Sequence, residues 1–312
     1  MLCLVTGGAG FIGSHLTEAL LAKGYQVRVL DDLSTGSLDN LTDIIKQIDF
    51  LTGSIQEPEM VARAVEGASL VFHLAALVSV PASIADPQLS VRLNDLGTLN
   101  VYRAAVAAGC RRLVFSSSSA VYGGQTPPPH GEEALPAPDS PYAAHKLLGE
   151  HYGRMFWPLD GLETVALRYF NVYGPRQAPD SPYSGVISIF MDRLSRQEGA
   201  TIFGDGEQTR DFVYVSDVVT ANLQAAEARE AAGEVFNVGT GRTATINQVY
   251  HTLSRLAGSH CPPPSYAPAR AGDVKHSAAL TAKAKQGLGF EAQVTLEDGL
   301  KATWRWFSQR GA

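Results

Sequence analysis

The chain has 312 residues, 45% of them hydrophobic and 18% charged, enough to bury a large core as one domain or two smaller ones. Its formal charge of -6 and the lack of a long basic run leave no surface suited to nucleic acid. The longest apolar stretch, residues 74–85, is broken by Ser79, Pro81 and Ser83 and is too short to span a bilayer.

Three cysteines, Cys3, Cys110 and Cys261, are far apart and odd in number, which argues against a disulfide framework and predicts a reducing, cytoplasmic setting. The N-terminus opens on an apolar run with neither a basic region nor a cleavage pattern, so no secretory signal is expected. His260 and Cys261 are adjacent, but no second pair stands at zinc-like spacing and no metal site is expected.

Residues 2–6 read as a buried strand. Thr6-Gly7-Gly8-Ala9-Gly10-Phe11-Ile12-Gly13 follows and leads into an amphipathic run over 12–22 that stops at Gly24. Strand, glycine-rich turn and helix open a dinucleotide-binding unit. One glycine permits the tight turn, another lets a pyrophosphate approach the backbone, and the last lets helix and strand pack closely. The helix N-terminus then offers N–H groups to the phosphates. A second strand over 26–30 ends in Asp31-Asp32. An acid there accepts both ribose hydroxyls and repels a 2′-phosphate, which favours NAD over NADP.

The pattern repeats, with strands over 49–51, 70–74 and 112–115 and helices over 58–65 and 91–108. Such alternation predicts an α/β fold, a Rossmann-type parallel sheet with helices on both faces and ligands at the C-terminal strand ends. Those ends carry Gly7, Asp31, Ala75 and the run Ser116-Ser117-Ser118-Ser119. A serine cluster there is either a polar loop or a source of a hydroxyl for a substrate oxygen. Its place directly after Val114-Phe115 favours the second reading.

Residues 126–141, rich in Pro and Gly, form a loop. Next comes Ser140-Pro141-Tyr142-Ala143-Ala144-His145-Lys146. In a helix, Tyr142 and Lys146 share one face about one turn apart. A free phenol titrates near ~10 and is a poor base at neutral pH. A nearby ammonium favours the phenolate, and a Tyr so tuned takes or gives a proton at a carbinol carbon. The spacing alone also fits an ordinary helix bearing a Tyr and a Lys.

Further on, the pattern predicts a strand over 164–169, a short helix over 187–194, a strand and turn over 202–206 and a return strand over 235–238. Asp205-Gly206 carries a hairpin signal, and 261–268 reads as a proline-rich loop. This part predicts a smaller C-terminal α/β substrate domain built from insertions. The expected division is 1–171 with 212–241 for NAD and 172–211 with 242–312 for the substrate.

Together these residues resemble the extended short-chain dehydrogenase/reductase family, over nearly the whole chain. The marks are Thr6 to Gly13, the serine run and Tyr142-x-x-x-Lys146. Within that family the chain resembles the UDP-hexose 4-epimerases. Further marks are His73-Leu74-Ala75-Ala76, Arg168-Tyr169-Phe170-Asn171-Val172-Tyr173-Gly174, Gly204-Asp205-Gly206, Arg210-Asp211-Phe212 and Arg270-Ala271-Gly272-Asp273.

The resemblance implies roles. Gly7, Gly10, Phe11, Ile12 and Gly13 would hold the NAD pyrophosphate, and Asp31 with Asp32 the adenosine ribose. Ser54, Ile55, Ala75, Ala76 and Tyr169 would complete the NAD site. Relatives commonly carry Gly-Asp-Ile where this chain has Gly53-Ser54-Ile55. Tyr142 would be the base and Lys146 its partner, bound also to the nicotinamide ribose. Ser118 matches the catalytic Ser/Thr, with Ser117 a close competitor. Asn171, Arg210 and Arg270 would hold the diphosphate of the nucleotide-sugar and Asp273 the uridine ribose, with Phe203 also in the substrate site.

The implied reaction is C4 epimerisation of a UDP-hexose through a transient 4-keto sugar. Family dehydratases place Asp-Glu after the catalytic Ser/Thr, where this chain has Ser119-Ala120, so elimination lacks its acid and base. In the family, the position held here by Ser277 helps set room for the sugar 2-substituent. A small residue there implies UDP-N-acetylglucosamine/UDP-N-acetylgalactosamine, with UDP-glucose/UDP-galactose also admitted; the alternative is a serine that merely lines the wall. A UDP-glucuronate 4-epimerase or decarboxylase, a one-way NAD-dependent reductase or oxidase, and a non-catalytic NAD-binding regulator stay open. The family pattern also implies a homodimer through the helices over 91–108 and 142–156.

Overall fold

The structure is a computed structural model and describes residues 1–178, 185–258, 261–269 and 274–310. The first half runs β1 (Leu2–Thr6), α1 (Phe11–Ala22), β2 (Gln26–Asp31), β3 (Asp49–Thr52), α2 (Pro58–Val65) and β4 (Ala68–His73). Two short helices, α3 (Val80–Ala85) and α4 (Pro87–Ser90), lead through a π-helical segment, Val91–Leu96, into α5 (Gly97–Ala107). β5 (Arg112–Ser118), α6 (Pro141–Asp160) and β6 (Glu163–Tyr169) follow.

The second half contains β7 (Asn171–Tyr173), α7 (Val186–Ser195), β8 (Thr201–Phe203), β9 (Thr209–Arg210) and β10 (Phe212–Tyr214). It continues with α8 (Val215–Glu227), β11 (Glu234–Val238), β12 (Ala244–Thr245), α9 (Ile246–Ala257), β13 (Ser265–Ala267), α10 (Ala282–Leu288) and α11 (Leu296–Arg310).

Seven strands form one parallel sheet in the order β11-β6-β5-β4-β1-β2-β3. The middles of the strands are largely apolar because helices cover both faces. On one face Leu16 and Leu20 of α1 meet Val218, Ala221 and Ala225 of α8. On the other, Val61 and Ala64 of α2 meet Val101, Tyr102 and Phe115. The chain winds outward from β1 in both directions, so a crevice opens at the C-terminal ends of β1 and β4. A third core joins α7, α9 and α11 through Ile187, Phe190, Val249, Leu253 and Leu300. Leu288 and Phe290, at the end of α10, pack instead into the first core.

Three expectations are corrected. The helix expected over 91–108 is the end of a broken path, π-helical over Val91–Leu96 and α-helical only from Gly97. Asp205-Gly206 does not close a hairpin. β8 pairs in parallel with β13 and β9 antiparallel with β12. Asn247 explains this: its N–H donates to the Gly206 carbonyl at 3.1 Å and its Nδ2 to the Asp205 carbonyl at 3.0 Å, so the turn is tied to α9. The proline-rich stretch 261–268 contains β13, because β8 offers its edge to Ser265–Ala267.

Candidate active site

Gly7 follows β1 with φ +72°, and a Cβ there would stand 2.8 Å from the Ala75 amide nitrogen after β4. The two loop ends therefore meet backbone to backbone. The Thr6 hydroxyl fixes the meeting: it accepts from the Ala75 N–H at 3.2 Å and pairs with His73 Nδ1 at 2.8 Å. His73 Nε2 lies 3.1 Å from the Thr98 hydroxyl. Burial, aided by Lys146, pushes His73 down to about 3, so it is neutral.

α1 starts at Phe11 with Gly10 as N-cap, and no side chain caps it. A Cβ on Gly13 would collide with the Gly7 carbonyl. The turn is thus packed to the limit that glycine allows, leaving Phe11, Ile12 and Gly13 to present a helix N-terminus to an anion. Asp31, buried at the end of β2, accepts from Ala9 N at 2.9 Å and Leu33 N at 2.9 Å. Burial raises its carboxyl, and those two bonds oppose the rise. Asp32 is exposed and takes the Ser34 N–H at 3.0 Å and its hydroxyl at 2.6 Å. Ile55 is buried with its carbonyl held by Asn100 at 3.0 Å, and the Ser54 hydroxyl accepts from Gln56. An uncapped helix end, glycine-only packing and a carboxylate at the second strand end fit a dinucleotide.

α6 begins cleanly. The Ser140 hydroxyl accepts from Ala143 N at 3.3 Å, Pro141 occupies the first turn, and Ser83 holds the Tyr142 N–H at 3.1 Å. Tyr142 is half-buried, and its phenol faces the Ser118 hydroxyl at the end of β5. Burial raises the phenol above its ordinary value while Ser118 pulls it back. The cation expected to depress it stands near: Lys146 Nζ lies 5.8 Å from the Tyr142 ring centroid and 5.1 Å from that of Phe115. Its ammonium donates to the Ser116 carbonyl at 2.7 Å, and burial lowers it to about 7. Burial thus works against charge on both the phenol and the ammonium.

Ser117 is separated from this group. Side chains alternate along β5, and the buried Ser117 hydroxyl donates to Glu150 Oε1 at 2.5 Å. Tyr169 is buried, its hydroxyl donating to Asn222 Oδ1 at 3.0 Å. Ala75 and Ala76 are half-buried beside the β1 turn.

A second group lies on the short strands. Asn171 is exposed, its N–H donating to the Asp211 carbonyl at 3.0 Å. Arg210 Nη1 donates to the Thr209 carbonyl at 2.9 Å, and the Ser277 N–H donates to the same carbonyl at 3.1 Å. Phe203 ends β8, its carbonyl accepting from Gln208 at 2.8 Å. The structure thus brings Arg210 and Ser277 together at the Thr209 carbonyl, with Asn171 bonded to the next residue but one, Asp211. Arg270, Asp273 and His260 lie outside the described residues.

Asp211 and Asn94 were not anticipated. The fully buried Asp211 carboxylate accepts from Thr240 N, Thr240 Oγ1, Gly241 N and Ala279 N at 2.7–3.2 Å. Asn94, in the π-helical segment, exchanges both amide groups with the Leu77 backbone at 2.7 and 2.9 Å and so pins the loop after β4. A cavity of about 330 Å³ lies elsewhere, lined by Cys110, Arg111, Trp157 and Glu163 at the opposite ends of the strands.

The family model for NAD-dependent epimerases and dehydratases matches residues 3–239. The chain belongs to this family. It is 38% identical to a UDP-glucose 4-epimerase of Mycolicibacterium smegmatis over 99% of both chains. The crystal structure of a Thermotoga maritima UDP-glucose 4-epimerase with UDP-glucose superposes with a TM-score of 0.95 at 42% identity, covering 100% of both chains. A UDP-N-acetylglucosamine 4-epimerase from Methanobrevibacter ruminantium, in complex with UDP-N-acetylmuramic acid, gives 0.94 at 37% identity over 99% of this chain and 98% of that one. NAD is thus the cofactor of the family to which this epimerase/dehydratase fold belongs. Among its described residues no helix is long and apolar enough to cross a membrane.

Proposed function

We propose that the protein interconverts C4 epimers of a UDP-hexose, chiefly UDP-N-acetylglucosamine and UDP-N-acetylgalactosamine, with the unacetylated pair also admitted. The observation that carries the reading is the grouping of Ser118, Tyr142 and Lys146 at the strand ends, with Lys146 Nζ 5.8 Å from the Tyr142 ring centroid. NAD, when bound, accepts and returns the C4 hydrogen as hydride. Tyr142 takes the 4-hydroxyl proton, and Ser118 holds the same oxygen and keeps the phenolic oxygen aimed. Lys146, in its protonated form, would favour the phenolate that Tyr142 must be before it takes that proton. Asn171, Arg210 and Arg270 would hold the diphosphate and Asp273 the uridine ribose, Phe203 would complete the substrate site, and Ser277 would leave room at the sugar 2-position. A sugar held mainly through its nucleotide is free to turn between proton removal and return.

We read residues 1–171 with 212–241 as the NAD-binding unit and 172–211 with 242–312 as the nucleotide-sugar unit. The separate core of α7, α9 and α11 supports the division, and α10 crosses it. A homodimer through α5 and α6 is part of the same reading, supported by Leu96, Met155 and Leu159 being exposed.

The test is incubation of the NAD-loaded protein with each UDP-sugar and separation of the epimers. Interconversion of the acetylated pair is expected, with Tyr142→Phe slower by about 10²–10⁴-fold. No turnover of the acetylated pair rejects that substrate. Net accumulation of NADH rejects epimerisation.

A further inference from the structure

Three contacts join α6 to the end of β5. Tyr142 reaches Ser118, Lys146 reaches the Ser116 carbonyl and Glu150 reaches the Ser117 hydroxyl. Residues 142, 146 and 150 stand four apart and share one face of α6. The first two contacts belong to the reacting group. The third is a buried charge with no part in the proton transfer.

Glu150 is buried, and so is Arg168 on β6. Ser117 and Arg168 are register partners in neighbouring strands and project to the same face, where α6 lies. Glu150 bridges them. Its Oε1 accepts from Ser117 at 2.5 Å and Arg168 Nε at 2.9 Å, and its Oε2 accepts from Arg168 Nη2 at 2.7 Å. Burial draws the guanidinium down, but the bonds to Glu150 more than offset it, and it stays charged. The opposite face of Arg168 is closed by the Tyr122 ring, whose centroid is 4.7 Å from the guanidinium carbon. Nearby, a Cβ on Gly149 would strike the Phe115 ring, so helix and strand are already in close contact.

A buried ion pair adds little stability over apolar residues of the same shape, because both charges must leave water. It does fix geometry, since a forked guanidinium meets a carboxylate at one distance and one angle. Here the fixed point is one residue from Ser118 and one helical turn from Lys146. Neither charged group touches a substrate position. We propose that Glu150 and Arg168 are positioning residues: they clamp α6 to β5 and β6 at the height that lets Tyr142 and Ser118 share one substrate oxygen. This rests on the assignment of Tyr142 and Ser118 to proton transfer, and it predicts that loosening the clamp slows the chemical step without weakening substrate binding.

The test uses the full-length, NAD-loaded protein with Ser117→Ala, Arg168→Lys and Arg168→Met. Folded fraction is measured by circular dichroism, and rates are taken per folded molecule. In Arg168→Lys and Ser117→Ala, kcat should fall on the order of 10-fold to 100-fold, as expected for a sub-ångström misplacement of the base. KM for the UDP-sugar should stay within about twofold, the mark of an interaction lost only in the transition state. Arg168→Lys should retain more activity than Arg168→Met at equal folded fraction. A second readout needs no substrate: near-ultraviolet titration of the Tyr142 phenol, as the difference from Tyr142→Phe. Lys146 on the same helix is the titratable amine beside that phenol and His73 from β4 is neutral, so loss of the Ser118 contact should move the midpoint upward in Arg168→Lys.

Unchanged kcat with an unmoved Tyr142 midpoint in the folded variants would overturn the clamp. So would losses that simply follow the folded fraction. If the wild type converts no UDP-sugar, the proposed reaction fails, and the Tyr142 titration still judges the clamp.

Discussion

The two ligand-facing regions recognise by different means. At the ends of β1 and β4 the surface is mostly backbone, with Gly7 and Gly13 packed so closely that a methyl group has no room. Around β7, β9 and the segment after residue 274, the surface is made of side chains, and the short strands beneath them are held by a buried carboxylate, Asp211. The first region is a shape that fails when atoms are added. The second is a hydrogen-bonded hub that fails when an acceptor is removed.

The sharpest way to break this contrast is Gly13→Ala. The new methyl would strike the Gly7 carbonyl, and overpacking of this kind costs about 1–3 kcal/mol. We expect NAD affinity to fall on the order of 10-fold to 100-fold, measured by equilibrium dialysis, with UDP affinity unchanged. Equal loss of both ligands would mean that the regions are not separable.

Asp211→Asn probes the other side with a smaller effect. The carboxylate faces four donors, and an amide would turn two N–H groups toward them. Leaving buried donors unpaired costs about 1–3 kcal/mol each. Strain should spread to Ala279 and the neighbouring Ser277, so KM for the UDP-sugar should rise several-fold while NAD affinity holds. A rise confined to NAD would reverse the assignment of Asp211.

This asymmetry also governs what was legible in the chain. The dinucleotide region is built from local signals: apolar strands, a glycine turn and an acid at the next strand end. Each strand and α-helix from Leu2 to Val65 is found within two residues of where its pattern placed it, while two 3-10 turns, Leu38–Leu41 and Ile45–Gln47, had no such signal. The other region depends on tertiary partners. Asp205-Gly206 carries a hairpin signal, yet Asn247 from a later helix captures its carbonyls. The α9 helix had its own markers, a Thr245/Gln248 capping box and Ile246, Val249, Tyr250 and Leu253 at helical spacing. Asn94 had none, because its bonds to Leu77 follow from how the loop after β4 returns. Ser117 and Ser118 could not be told apart without the strand's facing. That the adjacent Ser117 meets Glu150 follows from the β5–β6 register.

Lys146 stands where the two regions meet, and it gives the smallest but most specific prediction. Burial lowers its folded-state value from 10.5 to about 7. Between those values the unfolded chain holds the extra proton, so stability should rise with pH across the window, and the penalty is fully present below about 7. Cys3 and Cys110 act in the opposite sense. Burial raises both thiols from 9.0 to about 11, so they oppose the rise only above pH 9. The comparison therefore belongs between about pH 7 and pH 8.5, below the thiol window. Urea midpoints of the NAD-free wild type and Lys146→Met should differ most at the lower end, with the variant more stable, and converge as pH rises. A constant gap would mean that the lysine keeps its charge in the fold and stands as a fixed cation beside the phenol.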